Sequence, residues 1–197
     1  MKLILASGSK QRRDIFDMLG IKYDILTSNE EEKSEEKDPS KYVMELSKIK
    51  ANSVKKQIDE KAIIIGCDTI INLGNKIIEK PKTKEHAINM MKEIQGNETI
   101  AITGVTIIDL YQNKEVTFND KTVVTFNKMT DDEILWYVNN ESTIHNVCGY
   151  ALLGKACLFL EKVDGDYNTL FGISPNKIYK ELKKLGYSLN DFELKDN

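Results

Sequence analysis

The chain has 197 residues, 41% of them hydrophobic and 30% charged, with a formal charge of −3. This composition fits one large globular domain or two close-packed lobes and excludes disordered, collagenous and disulfide-dense classes; the lack of net positive charge argues against a stable nucleic-acid partner held by bulk electrostatics. Cys67, Cys148 and Cys157 form no CxxC pair, which suits a reducing cytoplasmic setting. The opening Met1 to Ala6 is too short for a signal peptide, and no run of about eighteen apolar residues predicts a membrane span.

Lys2 to Ala6 reads as a first strand, followed by a helix that Ser9 can cap and that carries Ile15, Phe16 and Leu19 before Gly20 ends it. A short strand over Tyr23 to Leu26 leads to the acidic stretch Glu30 to Asp38. Asp38-Pro39 then supplies the cap and first turn of a long helix to about Gln57. Ala62 to Leu73 is the strongest strand, and Asn72-Leu73-Gly74-Asn75 turns it into a second strand over Lys76 to Glu79. A helix from Thr83 to about Gln95 places Ala87, Met91 and Ile94 on one face. Strands over Thr99 to Leu110 and Glu115 to Phe126 flank a turn at Gln112-Asn113, and Thr130 with Glu133 forms a capping box for a helix to Asn139. Trp136, Tyr137 and Val138 are expected to pack that helix. A hairpin is expected over Gly149 to Val163. The last helix starts at Ser174-Pro175, carries Ile178, Leu182 and Leu185, and ends at Gly186, with a loose polar tail beyond Leu189. Strands alternating with amphipathic helices indicate an α/β fold.

Neither GxxxxGK[ST] nor GxGxxG occurs. Ser7-Gly8-Ser9-Lys10-Gln11-Arg12-Arg13 lies between a strand and a helix start, where free N–H groups, hydroxyls and cations can converge on an anion; the alternative is an ordinary capped helix with a solvated basic turn. Cations there oppose the helix dipole by roughly 0.3–1 kcal/mol each, a cost that a bound polyanion would offset. Asp68 interrupts the apolar run Ile63 to Ile71, so a carboxylate sits in what is otherwise a buried strand. It is either a metal ligand or general base, or a strand-end group held by backbone or by a buried cation. Gly66, two residues earlier on the same face, clears space for a ligand or for a close backbone. Lys50 lies inside the apolar stripe of the long helix, between Leu46 and Val54; it either snorkels to water or reaches into a phosphate-holding cleft. Lys80-Pro81-Lys82 either adds two cations beside a rigid proline or is an ordinary exposed loop, and Glu30 to Glu36 is either a solvated loop or the place of a magnesium ligand. His86 and His145 stand in no metal-ligand spacing.

In order, these segments resemble the Maf family of nucleoside-triphosphate pyrophosphatases. Leu5-Ala6-Ser7-Gly8-Ser9 with Arg12-Arg13 and Leu19-Gly20-Ile21 is similar to the family's opening LASxSPRRxELLxxLGI, with Lys10 in place of proline and Gln11 in place of arginine. Glu31-Glu32 resembles its Asp-Glu pair, Lys50-Ala51 its helix lysine, Gly66-Cys67-Asp68-Thr69 its G-A/S-D-T strand, Glu79-Lys80-Pro81-Lys82 its KP segment and Thr103-Gly104-Val105 its YTGV strand. The resemblance runs from about residue 3 to 182 and breaks at His145 to Gly154, where Asn146 replaces a lysine and Leu153 a glutamine linked with base selection.

That resemblance implies an inosine-triphosphatase-like α/β fold: a mixed, elongated sheet with flanking helices, two lobes over residues 1–190 around a central cleft, and a polar tail at 191–197, often as a homodimer. It also implies hydrolysis of a nucleoside triphosphate to monophosphate and pyrophosphate with a divalent metal, magnesium or manganese. Asp68, Lys50 and Lys80 become the catalytic candidates. Ser7, Ser9, Arg12, Arg13, Thr69, Lys82 and Leu153 become the substrate-binding ones, and Glu32 with Asp68 the metal ligands. Thr69 matches a position that contributes to base choice in members acting on thymidine and uridine triphosphates. Three functions stay open: a pyrimidine-directed pyrophosphatase, a purine-directed one acting on inosine or 7-methylguanosine triphosphates, and a non-catalytic nucleotide-binding regulator of cell division. Retention of Asp68 with Lys50 argues against the last.

Overall fold

The computed structural model describes residues 1–74, 76–78, 81–141 and 154–195. Its strands are β1 (Leu3–Ala6), β2 (Asp24–Ile25), β3 (Ile63–Leu73), β4 (Lys76–Ile78), β5 (Glu98–Asp109), β6 (Lys114–Phe126) and β7 (Leu160–Gly165). Its α-helices are α1 (Lys10–Met18), α2 (Pro39–Lys55), α3 (Lys84–Ile94), α4 (Asp131–Asn140) and α5 (Pro175–Lys184). The described strands form one mixed sheet in the order β2-β1-β3-β5-β6-β7, with β4 added on β3. β1 pairs in parallel with β2 and β3, while β3–β4 and β6–β7 are antiparallel.

Local chemistry sets several boundaries. The Asp38 carboxylate accepts hydrogen bonds from the Ser40 and Lys41 amides at 2.9 Å, and Pro39 fills the first turn of α2; such a cap is worth about 1 kcal/mol. Thr130 and Glu133 close a reciprocal capping box on α4. Asp109 holds the β5–β6 turn by accepting from the Tyr111 and Gln112 amides, and Tyr187 donates to its other oxygen at 2.8 Å.

The chain divides into two compact units. The first, Met1–Asp68 with Thr103–Asp120 and Phe171–Asn197, buries both faces of its strands. Leu3, Leu5, Ile63, Ile65 and Cys67 pack with Ile15 and Phe16 of α1 and Ile178 and Leu182 of α5. The alternate residues Ile4, Ala6 and Ile64 pack with Ala51 and Val54 of α2. Burial on both faces explains why β3 reads as an unbroken apolar run until Asp68. The second unit, Thr69–Ile102 with Lys121–Leu170, has its own core of Met91 and Ile94 from α3, Ile134 and Tyr137 from α4, and Ile71, Val124 and Phe126 from the strands.

α2 lies directly on strand backbone in the first unit. A Cβ at Gly66 would overlap the Ser47 carbonyl oxygen, and one at Gly104 would overlap the backbone of Val43 and Met44. The space at Gly66 is therefore taken by a close backbone, not by a ligand. Between these contacts Ser47 Oγ and Thr106 Oγ1 share a buried hydrogen bond of 2.8 Å.

Four local expectations are corrected. The Ser9 side chain makes no capping bond although it stands at the N-cap of α1; its own amide donates to the Ser7 hydroxyl at 3.3 Å. Lys155–Phe159 forms a 3₁₀ turn, and β7 pairs with β6, so the described part of Gly149 to Val163 is not a hairpin of its own; 142–153 lie outside the described residues. Trp136 is 45% exposed while Tyr137 and Val138 carry the packing of α4. The described residues beyond Leu189, up to Lys195, are docked: Phe192 is buried, Ile21 bridges Leu194, and the Lys22 and Lys195 amides donate to the Glu193 and Gly20 carbonyls at 2.8 Å.

Candidate active site

β1 ends at Ala6 in register with Gly66 of β3, so the Ser7–Ser9 turn leaves the sheet beside the strand that carries Asp68 two residues further on. Ligands of open α/β sheets bind outside the carboxyl ends of such strands. The buried Ser7 Oγ accepts from Arg12 Nη1 at 2.9 Å and from the Ser9 amide at 3.3 Å. With both acceptor positions of the hydroxyl in use, its proton is left to donate, which suits a phosphate oxygen. Arg12 is buried and its Nε donates to the Gly172 carbonyl at 2.7 Å, so two of its nitrogens are committed to holding the Ser7 turn against the segment before α5. Arg13 is half-buried, its Nε has no hydrogen-bond partner among the described residues, and it lines a groove with Lys10, Asp17 and Tyr23. Lys10 pairs with Asp14 at 2.7 Å.

The decisive cluster lies on the α2 face of β3. Ile64, Gly66 and Asp68 alternate onto this face, and because Gly66 admits the backbone of α2, the helix brings Lys50 to the carboxylate. Lys50 Nζ is 2.6 Å from Asp68 Oδ1 and 3.1 Å from Glu32 Oε2. The Lys50 and Asp68 side chains are each 13% exposed and that of Glu32 40%. Lys50 therefore does not snorkel to water; one ammonium is shared by two carboxylates from distant parts of the chain. Asp68 Oδ2 makes no hydrogen bond within the described residues.

The donor chemistry of this cluster fits a divalent metal of the magnesium type. Two carboxylates reach one cationic centre, and hard cations of this kind use one or two carboxylates with water and substrate phosphate. Among the described residues no third acidic, cysteine or histidine ligand joins them, so an all-protein cage is not formed there. Cys67, next to Asp68 but on the opposite face, is a core thiol that burial pushes up to about 11.

Two candidates belong to the second unit. Thr69 follows Asp68 on β3 and is half-buried; Lys82 is exposed ahead of α3, its amide donating to His86 Nδ1 at 3.4 Å. Lys80 and Leu153 lie outside the described residues.

A family model described as Maf-like protein matches residues 2–185. The chain belongs to the Maf-like family. Among Maf-like relatives, the dTTP/UTP pyrophosphatase of Thermoanaerobacter sp. (strain X514) is 39% identical over 184 residues, covering 93% of this chain and 96% of that protein. The dTTP/UTP pyrophosphatase of Lachnoclostridium phytofermentans is 37% identical over 191 residues, covering 95% and 97%. The solved structure of the Staphylococcus aureus Ham1 protein shares the fold at a TM-score of 0.52 and 12% identity, covering 94% of this Maf-like chain and 100% of that one. The expected α/β class therefore stands. Gly104 and the Gly172 carbonyl have physical roles that the local sequence pattern does not show. The first lets α2 seat on the sheet, and the second anchors Arg12. Glycines at 104 and 172 were the available signal.

Proposed function

We propose that this chain is a nucleoside-triphosphate pyrophosphatase that hydrolyses thymidine and uridine triphosphates to monophosphate and pyrophosphate. The observation that carries the reading is Lys50 held between Glu32 and Asp68 beside the Ser7–Ser9 turn; the names of the relatives support the reaction and the bases.

In this reading water attacks the α-phosphorus, a P–O bond to the water oxygen forms, and the bond to the β-phosphate bridging oxygen breaks. Asp68 Oδ2 takes the proton of the attacking water, while Oδ1 stays paired with an ammonium or another cation. Negative charge grows on the α-phosphoryl oxygens and on the departing pyrophosphate, so hydroxyl, amide and cationic donors should face them. Ser7 supplies its hydroxyl proton, Ser9 lies at the amide-rich start of α1, and Arg13, Lys50, Lys80 and Lys82 supply positive charge. Arg12 holds the turn in place. Glu32 and Asp68 would hold magnesium or manganese, which when bound supplies Lewis-acid polarisation and charge neutralisation at the phosphates. Thr69 is assigned to the base, and a cytoplasmic nucleotide pool is the expected setting.

The test is a panel of nucleoside triphosphates with magnesium or manganese and chromatography of the products. Monophosphate plus pyrophosphate is expected; diphosphate plus orthophosphate, or no turnover on any base, overturns the reading. Leu153 favours a second reading, a purine-directed enzyme for inosine or 7-methylguanosine triphosphates, because the glutamine that pairs with a base in the resemblance is missing; the same panel separates the two.

A further inference from the structure

The ammonium of Lys50 stands where both carboxylates of the cluster converge, 2.6 Å from Asp68 and 3.1 Å from Glu32. Resting on the pyrophosphatase reading above, we propose that Lys50 is an internal counter-ion that competes with the divalent cation for Glu32 and Asp68, so that cation and nucleotide bind together. The cluster holds two negative charges against one positive charge, and the largely buried Asp68 cannot be left without a cation at tolerable cost. Lys50 therefore leaves only in exchange. It cannot stay against the same oxygens beside a divalent ion either, because the repulsion between the two cations at hydrogen-bonding distance acts in a poorly solvated site.

The backbone says which part moves. α2 is seated on Gly66 and Gly104 through its own backbone and the Ala51 methyl, so the helix has no slack, whereas the four-carbon stem of Lys50 can swing its ammonium by several bond lengths. Once displaced, the ammonium is a mostly buried charge in need of an anion. A polyphosphate held by the Ser7–Ser9 turn, at the end of the neighbouring strand, provides that anion. Each ligand thus removes a penalty that the other would otherwise meet. By linkage the coupling is reciprocal: nucleotide tightens the divalent cation by the factor by which the cation tightens nucleotide. Lys50 serves first as a placeholder and then as a phosphate ligand.

The experiment measures Mn²⁺ binding by electron paramagnetic resonance, with no turnover involved, in the native chain and in Lys50→Met and Lys50→Gln. Each is titrated alone and with the α,β-methylene analogue of uridine triphosphate. The native chain should bind Mn²⁺ weakly alone and at least about tenfold more tightly with the analogue. Both neutral variants should bind Mn²⁺ alone at least about tenfold more tightly than the native chain, with a correspondingly smaller gain from the analogue. Mn²⁺ should also raise the melting temperature of the variants more than that of the native chain. Unchanged or weaker Mn²⁺ affinity in folded neutral variants overturns the proposal. A variant that folds only with Mn²⁺ supports it; for variants that fail to fold even with Mn²⁺, absence of coupling between Mn²⁺ and analogue in the native chain overturns it. A chain that releases pyrophosphate but whose variants gain no Mn²⁺ affinity refutes this proposal alone. A chain that turns over no triphosphate yet shows the gain refutes only the reaction assigned above.

Discussion

Lys50 and Asp68, 18 residues apart in the chain, meet at 2.6 Å with both side chains 13% exposed. Deleting one partner of such a pair leaves the other charge in a poorly hydrated place. Lys50→Met is therefore expected to lower the unfolding free energy by about 2 kcal/mol, below the ~3–5 kcal/mol of a fully buried pair, even though methionine suits the apolar stripe of α2. Adding Asp68→Asn to it should restore most of the loss. Urea unfolding of the two single variants and the double variant checks this, and a single variant as stable as the native chain would show that solvent already screens the pair.

Asp68→Asn alone keeps the shape of the carboxylate and one acceptor but cannot take a proton. We expect kcat to fall by at least about a hundredfold, the usual scale for a general base, with the melting transition still cooperative. Steady-state rates on the best triphosphate, with circular dichroism of the same preparation, read both quantities. Activity within a few-fold of native would remove Asp68 from the chemistry.

The seat of α2 predicts a steric effect at a distance from the charges. Gly66→Ala puts a methyl group against the Ser47 carbonyl and Gly104→Ala one against Val43. Overpacking of this kind costs about 1–3 kcal/mol, and here the obstructing atoms are backbone, so the upper end is expected. Because α2 must move to relieve the overlap, turnover should drop more than substrate affinity. A kcat/KM split in the two alanine variants distinguishes this from loss of fold alone.

Base discrimination is expected to be shallow. A glutamine amide offers a donor and an acceptor, whereas Leu153 offers neither. Sites that hydrogen-bond a base reject analogues by up to ~10⁴-fold, and apolar ones separate similar shapes by only ~10- to 200-fold. Competing triphosphates should thus fall within about two orders of magnitude in kcat/KM, and Leu153→Gln should sharpen the preference for thymidine or uridine triphosphate. A native preference beyond ~10⁴-fold, or a glutamine variant that alters every substrate equally, rejects this.

Stability should also fall at alkaline pH. Burial raises the Cys67 thiol from 9.0 to about 11, and desolvation with the nearby Asp17 carboxylate raises Tyr23 from 10.0 to about 12. Both hold their protons more tightly in the folded chain, so their contribution is intact below about pH 9 and is lost as pH rises through the folded values. Cys67 alone should account for about 2–3 kcal/mol between about pH 9 and 11. Urea midpoints across that range should decline, and Cys67→Ala should flatten the decline. A profile that cysteine replacement leaves unchanged contradicts the assignment.

What the chain reveals before folding is what its neighbours in sequence decide. Asp38-Pro39, the Thr130–Glu133 box and the apolar run of β3 involve residues a few positions apart, and they stand as read. Lys50 and Asp68 were visible as polar residues in apolar patterns, since each violates the local rule. What sequence could not supply were partners set by the tertiary fold. Arg12 reads as one more phosphate-facing cation until the Gly172 carbonyl, 160 residues away, takes its Nε. Phe192 reads as part of a polar tail until the core formed by α1 and α5 receives it.

The contact of α2 with bare strand backbone has an engineering consequence. The reach from Lys50 to Asp68 is set at Gly66 and Gly104 by main-chain thickness, with the Ala51 methyl pressed against Gly66. Leu5, Ile65, Ile173 and Ile178 pack on the opposite face of these strands, so they can be exchanged for other apolar residues of similar total volume, and the molecule hardened against heat, without retuning the charged cluster. The α2 face offers no such latitude: it is a fixed datum, and variants selected for stability should accumulate on the α1 and α5 side of the sheet.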